Sequence, residues 1–358
     1  MNMKEPKIFF KTKINIGSYS ISQTSKPMVI AEISANHNGS IELAKKTMLQ
    51  AKKNGADAIK LQTYEADTIT IDCDKKDFQI SEGPWAGYRL YDLYKEAETP
   101  FKWHAELFKY AHEIGLICFS TPFDESAVDL LESLEAPAYK IASFEVIDIP
   151  LIKYAASKMK PIIISTGIAN LDEITEAVEA VKSVNNPNLI LLHCISSYPA
   201  PIEQSNIHTM VDLSNRFNLL AGLSDHTIGN TASIVATSLG AAVIEKHFIV
   251  DRTLGGPDAH FSMEPNDLSA LVRDVDLANQ SLGSPGYEIK DAEIGNAVFR
   301  RSIYFVKAIK KGEIITEKHI RRIRPGFGVA PKHFPEILGK KAKNDRAFGD
   351  PVRFVDFN

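Results

Sequence analysis

Short apolar runs rich in Val, Ile and Leu recur along the chain, each followed by a stretch with helical spacing. The runs are MVIAEIS (28–34), DAIKLQT (57–63), GLICFST (115–121) and AYKIAS (138–143), then PIIIST (161–166), NLILLHC (188–194), LLAGLSD (219–225) and AAVIEKHF (241–248). Near-continuous apolar runs are what strands buried on both faces of a parallel sheet require. The intervening segments read as crossover helices. SIELAKKTMLQAKKNGA (40–56) opens on a Ser N-cap and closes at Gly55. LDEITEAVEAVKSV (171–184) sets Ile174, Val178 and Val181 on one face. Eight such units predict an α/β fold, a (β/α)8 TIM barrel in preference to a doubly wound sheet.

Two stretches break this rhythm. Residues 64–100 contain DCDKKDFQISEGPWAGYRLYDLYKEAETP, too long for a bare strand-to-helix connection and rich in aromatic and charged residues. Long loops on the C-terminal rim of a barrel shape its pocket. From about residue 285 the texture changes: SPGYEIKDAEIGN reads as a linker entering a short charged helix, and the segment after it has short strands, Gly turns and many Lys and Arg. The expected organisation is a barrel with an N-terminal extension over 1–284, a linker over 285–298 and a small second domain over 299–358.

The polar residues of each strand fall at its C-terminal end. Glu32, Ser34, Asn36 and His37 follow the first strand, and Lys60 and Gln62 end the second. Ser120 and Thr121 end the third, Lys140 and Ser143 the fourth, Ser165 and Thr166 the fifth, and His193 the sixth. Ser224, Asp225 and His226 close the seventh, and Glu245, Lys246 and His247 the eighth. In a barrel these ends meet at one mouth, where catalytic groups gather.

Lys60 and Lys140 each interrupt an apolar run, and a buried ammonium needs an anion. Ion pairs to Glu32 or Glu245 would serve. So would a bound phosphate or carboxylate, with the hydroxyls of Ser143, Ser165 and Ser224 as further donors. His226 and His247, on adjacent strand ends about 4.8 Å apart, are either hydrogen-bonded core histidines or two ligands of one ion. Two imidazoles with carboxylates nearby suit Mn2+, Mg2+ or Co2+ with retained waters, whereas structural zinc takes four protein ligands. Asp225 and Glu245 fit acid/base or ligand-orienting roles better than ligation. GGPDAHFSM (255–263) would present Asp258 to the mouth.

Composition narrows the class. With 44% hydrophobic and 24% charged residues in 358, the chain is of soluble globular type. A net charge of −4 with scattered basic residues gives no nucleic-acid surface. No apolar run approaches the roughly 20 residues of a membrane helix, and MNMKEPKIFFKTKINIG lacks a signal-peptide core. The three cysteines, far apart and without CxxC spacing, read as free thiols in a reducing cytoplasm.

The motifs AEISANHNGS, GADAIKLQTY, STPF, YKIAS, STG, GLSDHT, VIEKHF and GPDAHFS resemble the sialic acid synthase family, in order and along nearly the whole chain. RRSIYFVKAIKKGEIIT and RPGFGVAP are similar to that family's C-terminal antifreeze-like (SAF) domain. The resemblance implies condensation of phosphoenolpyruvate with an N-acetylated amino sugar to a nine-carbon 2-keto acid and phosphate. It implies His226 and His247 as metal ligands. Lys60, Gln62, Thr121, Lys140, Ser143, Ser165 and Ser224 would hold phosphoenolpyruvate, and Glu32, Tyr198, Asp258 and Arg324 the sugar. Glu32, Lys60, Lys140 and Glu245 would form the catalytic set, and the dimer would be domain-swapped, with Arg324 reaching a partner's substrate. The 64–100 insert is most similar to the pseudaminic acid synthases, whose acceptor lacks a 6-hydroxyl; Trp85, Tyr88 and Tyr91 would suit such a sugar. Ser196 stands where the neuraminic acid enzymes carry Asn, which points away from N-acetylmannosamine.

Overall fold

The computed structural model describes residues 9–357; the first eight, part of the segment read above as lacking a leader's core, lie outside them. It divides into two compact units, one reaching to Gly283 and the other starting at Ser284.

In the first unit a hairpin of β1 (Lys13–Ile16) and β2 (Tyr19–Ser22) precedes eight parallel strands closed into a barrel. These are β3 (Met28–Glu32), β4 (Ala58–Thr63), β5 (Ile117–Pro122) and β6 (Tyr139–Ile141), then β7 (Ile162–Ser165), β8 (Leu189–Cys194), β9 (Leu220–Ser224) and β10 (Val243–His247). Closure is made by β10 beside β3, with Val243 opposite Met28 and His247 opposite Glu32. The expected TIM barrel is therefore present, with every predicted strand in its place. The interior is packed by Met28, Ile30, Ala58, Phe119, Ile163, Ile190, Leu220 and Val243, and the hairpin's Ile14, Ile16 and Ile21 join that core. Pairing along β9 and β10 needs Gly222, where a Cβ would run into the Val243 carbonyl oxygen.

The helices are α1 (Ile41–Lys53), α2 (Ala66–Ile69), α3 (Leu90–Ala97), α4 (Phe101–Glu113), α5 (Glu125–Ser133) and α6 (Ile149–Ser157), then α7 (Leu171–Ser183), α8 (His208–Phe217), α9 (Thr231–Ser238) and α10 (Pro265–Leu282). Their starts are set by side chains that satisfy the free N–H groups of a first turn. Ser40 accepts from Leu43 N, Asp124 from Ala127 N and Asp148 from Leu151 N, while Asn170 and Glu173 form a reciprocal capping box. α7 buries Ile174, Val178 and Val181, the stripe its spacing predicts. The 64–100 connection carries α2 and α3 as an irregular rim insert.

The second unit contains α11 (Asp291–Ile294), an antiparallel pair of β11 (Ser302–Phe305) and β12 (Ile320–Ile323), and α12 (Phe334–Ile337). Ile303, Phe305, Ile315, Ile337 and Val352 form its own core. No helix among the described residues is long and apolar enough to cross a membrane.

Candidate active site

The two lysines that interrupt apolar runs end in one place. Lys60 Nζ stands 2.9 Å from Glu32 Oε2 and 3.4 Å from Glu245 Oε1, and Lys140 Nζ 3.0 Å from the same Glu245 oxygen. All four groups are at most 6% exposed. The ion-pair reading of the lysines is thus met: each ammonium is paired with a carboxylate, in one cluster at the C-terminal ends of the strands. Thr121 Oγ1 accepts from Lys60 Nζ at 3.1 Å, and Ser224 Oγ lies 3.4 Å from Glu245 Oε1. Gln62 Nε2 donates to Glu32 Oε1 and to Ser34 Oγ. Ser143 Oγ accepts from Gly167 N at 3.1 Å, and a Cβ at Gly167 would collide with the Ser143 and Ser196 hydroxyls. Ser165 Oγ and Glu245 Oε2 are buried with no hydrogen-bond partner among the described residues.

Burial and charge separate the two carboxylates. Burial pushes Glu245 up, but Lys140 and Lys60 outweigh it and hold the group down to about 2. Burial dominates at Glu32, which rises to about 7 even against Lys60. Glu245 therefore stays ionised while Glu32 trades its proton near neutrality, the division that suits one fixed anion and one proton carrier. With Glu32 protonated, two ammonium groups face a single carboxylate, leaving room for added negative charge.

His226 and His247 adjoin this cluster, ring centroids 5.4 Å apart. A ring bound through nitrogen has its centroid about 3.2 Å from the ion, given a metal–nitrogen distance of about 2.1 Å, so the separation fits one shared ion. His226 Nδ1 donates to the Ile195 carbonyl at 2.9 Å, so that Nε2 is the nitrogen open to a ligand whenever the ring is neutral, although burial, which lowers its pKa, is outweighed by the adjacent Cys194 thiol, which pushes it up. His247 is held neutral by burial and by the neighbouring His226 and Lys60, and its Nδ1 is buried without a partner. No third His, Cys, Asp or Glu completes a metal-holding group among the described residues.

Asp225 is engaged elsewhere. Its carboxylate accepts from Thr227 N, Thr227 Oγ1 and Ser233 Oγ and pairs with Lys246 at 3.1 Å, while Lys246 also donates to the Thr227 carbonyl. The acid/base role open to Asp225 in the sequence gives way to that of a clamp on the turn that carries His226. His37 and His193 make local contacts, with Gly39 N and with the Ser205 carbonyl. Asp258 is buried and accepts from Ala35 N. Tyr198 lies against His226, centroids 4.3 Å apart. Arg324 belongs to the second unit, where it is exposed with no ion-pair partner among the described residues.

Two side chains escaped the sequence reading. Glu145, two residues past Ser143, is raised to about 7 by burial and has a buried, unpartnered Oε2; its place after the fourth strand was the available signal. Phe261 packs on Tyr198 and His247, at 5.1 and 4.9 Å.

The NeuB family model matches residues 47–287, and the SAF domain model residues 300–358. The chain belongs to the NeuB family. A pseudaminic acid synthase of Campylobacter jejuni is 44% identical over 96% of this chain and 100% of that protein. An N,N'-diacetyllegionaminic acid synthase of Legionella pneumophila is 37% identical over 90% of this chain and 92% of its own length. Among solved structures, the N-acetylneuraminic acid synthetase of Leptospira borgpetersenii matches with a TM-score of 0.71 at 31% identity, over 79% of this chain and 94% of that one. Membership in the NeuB family makes the chain an enzyme of the phosphoenolpyruvate-condensing synthases.

Proposed function

We propose that this chain is a pseudaminic acid synthase, joining phosphoenolpyruvate, 2,4-diacetamido-2,4,6-trideoxy-L-altropyranose and water into pseudaminic acid and phosphate. The observation that carries this reading is the full-length match to the Campylobacter enzyme, with identity falling toward the legionaminic acid synthase. Mass spectrometry of the product made from phosphoenolpyruvate and this sugar tests it. A faster reaction with the legionaminic acid precursor or with N-acetylmannosamine would overturn it.

Lys60 and Lys140 are assigned to the phosphate and carboxylate of phosphoenolpyruvate, with Gln62, Thr121, Ser143, Ser165 and Ser224 as neutral partners. Two converging ammonium groups and the unpartnered Ser165 hydroxyl support the assignment. C3 of phosphoenolpyruvate forms the new bond to the sugar aldehyde carbon. Water adds at C2, and the C2–O bond to phosphate breaks, the lysines steadying the departing anion. His226 and His247 are assigned to a divalent ion, Mn2+, Mg2+ or Co2+ by donor chemistry. Such an ion, when bound, supplies Lewis-acid polarisation of the aldehyde oxygen. Holding both reactants in one mouth supplies the entropic share of the rate.

Glu32 is assigned the proton of the attacking water or sugar hydroxyl, since its carboxyl titrates near neutrality. As a base it works ionised, so kcat falls as pH drops below about 7. Glu32→Gln should lower kcat about 10²–10⁴-fold and remove that limb from the pH profile.

Asp258 and Tyr198 are assigned to the sugar, and Arg324 to the acyl group of a substrate held by a partner copy. Phe144, Ile147, Ile168, Ile228 and Leu254, all on connections that follow barrel strands, and Phe327 and Phe348 of the SAF unit are exposed; apolar side chains available for burial on both units accord with a domain-swapped homodimer. Arg324→Ala should raise the KM of the sugar about tenfold or more and leave that of phosphoenolpyruvate unmoved. Free Cys73, Cys118 and Cys194 accord with a reducing, cytoplasmic setting.

A further inference from the structure

Three loops bring aromatic rings together beside the histidines. Tyr198, after β8, lies 5.6 Å from Trp85 of the rim insert and 5.1 Å from Phe261, after β10. Phe261 in turn stands edge-on to His247 at 4.9 Å. The other two insert candidates face elsewhere: Tyr88 donates its hydroxyl to Glu96 and Tyr91 to Asp67. Trp85 has one polar atom, Nε1, and it is occupied by the Pro257 carbonyl at 3.0 Å. Phe261 has none.

This gives the pocket a direction. The reacting aldehyde must sit with the lysines and histidines, where C3 of phosphoenolpyruvate can reach it. The sugar beyond its aldehyde then runs along Tyr198 and Phe261, which pack on the histidines, toward Trp85 one ring further out. A methyl group there gains contact with the ring faces. A hydroxyl set against the faces of Trp85 and Phe261 loses water and gains no partner from either ring, since the Trp85 Nε1 is already occupied, and an unpaired buried hydroxyl is unfavourable.

We propose that Trp85 and Phe261 are specificity-determining residues that, flanking Tyr198, form an aromatic wall for the 6-deoxy end of the acceptor and disfavour 6-hydroxylated sugars. The inference rests on the pseudaminic acid synthase reading and adds the residues that select its substrate. An apolar site rejects an added hydroxyl only moderately, so the expected preference is about 10–100-fold.

The test compares kcat/KM for 2,4-diacetamido-2,4,6-trideoxy-L-altrose with that for 2,4-diacetamido-2,4-dideoxy-L-altrose, its 6-hydroxy counterpart. The full-length protein should favour the deoxy sugar by that factor. Trp85→Gln, in a half-buried loop position, should bring the ratio to within a few-fold of one without moving the KM of phosphoenolpyruvate. Phe261→Tyr, which keeps the ring and adds a hydroxyl, should narrow it independently, while Trp85→Phe should retain it. A purely structural role would lower turnover of both sugars equally and leave the ratio unchanged, and that result overturns the proposal. If the unaltered protein uses neither sugar, the functional reading fails first and the wall falls with it; if it uses both equally, only the wall fails.

Discussion

Lys140→Met should lower kcat/KM about 10²–10³-fold, the loss typical of removing one electrostatic donor from a preorganised site. Two effects combine. The anion loses one of the two cations aimed at it, and Glu245 loses the nearer of its two partners, at 3.0 Å against 3.4 Å for Lys60. Uncompensated buried charge is destabilising by about 3–5 kcal/mol; the remaining Lys60 places this variant at the lower end. Methionine preserves the bulk of the side chain, so packing changes little. Steady-state kinetics and chemical denaturation check the two halves separately. The pairing Lys140→Met with Glu245→Gln removes both charges and should recover part of the stability but none of the rate. A Lys140→Met enzyme with unchanged kcat/KM would dismantle the anion-site assignment.

Chelation should have the larger effect on rate. Excess EDTA is expected to abolish turnover, with recovery on adding Mn2+, Mg2+ or Co2+. The reason lies in the donor set: two imidazoles with no third His, Cys, Asp or Glu beside them among the described residues would hold an ion loosely enough for a chelator to remove it, and open enough to bind substrate oxygen. His226→Ala and His247→Ala should each be inactive and show no recovery at metal concentrations that restore the chelated protein. Mn2+ binding followed by electron paramagnetic resonance separates lost metal from lost chemistry. Full activity in excess EDTA would refute the metal assignment.

The barrel was legible because strands covered on both faces announce themselves as apolar runs, and every such run became a strand. The lysine–glutamate cluster was legible for the same reason, since a charge inside an apolar run stands out against it. For Asp225 the sequence left orienting and acid/base roles open and could not choose between them: its partners Ser233 and Lys246 come from α9 and β10, and a motif read along the chain treats neighbours in sequence as neighbours in space. Phe261 was hidden because a phenylalanine reads as core wherever it occurs. Among Trp85, Tyr88 and Tyr91, only the path of the insert could show which ring faces inward. Arg324 was reached by resemblance alone; an arginine among many in a basic segment carries no local signal.

The hairpin that adds Ile14, Ile16 and Ile21 to the barrel core has a kinetic corollary. With the floor plugged by hydrocarbon, traffic uses a single doorway. Lys60 and Lys140 are buried and Tyr198 is half-buried; on the proposed assignment of phosphoenolpyruvate to the two ammonium groups, it is expected to bind before the bulkier sugar. The same assignment predicts an ordered mechanism, phosphoenolpyruvate before sugar, with orthophosphate competing against phosphoenolpyruvate in product-inhibition kinetics.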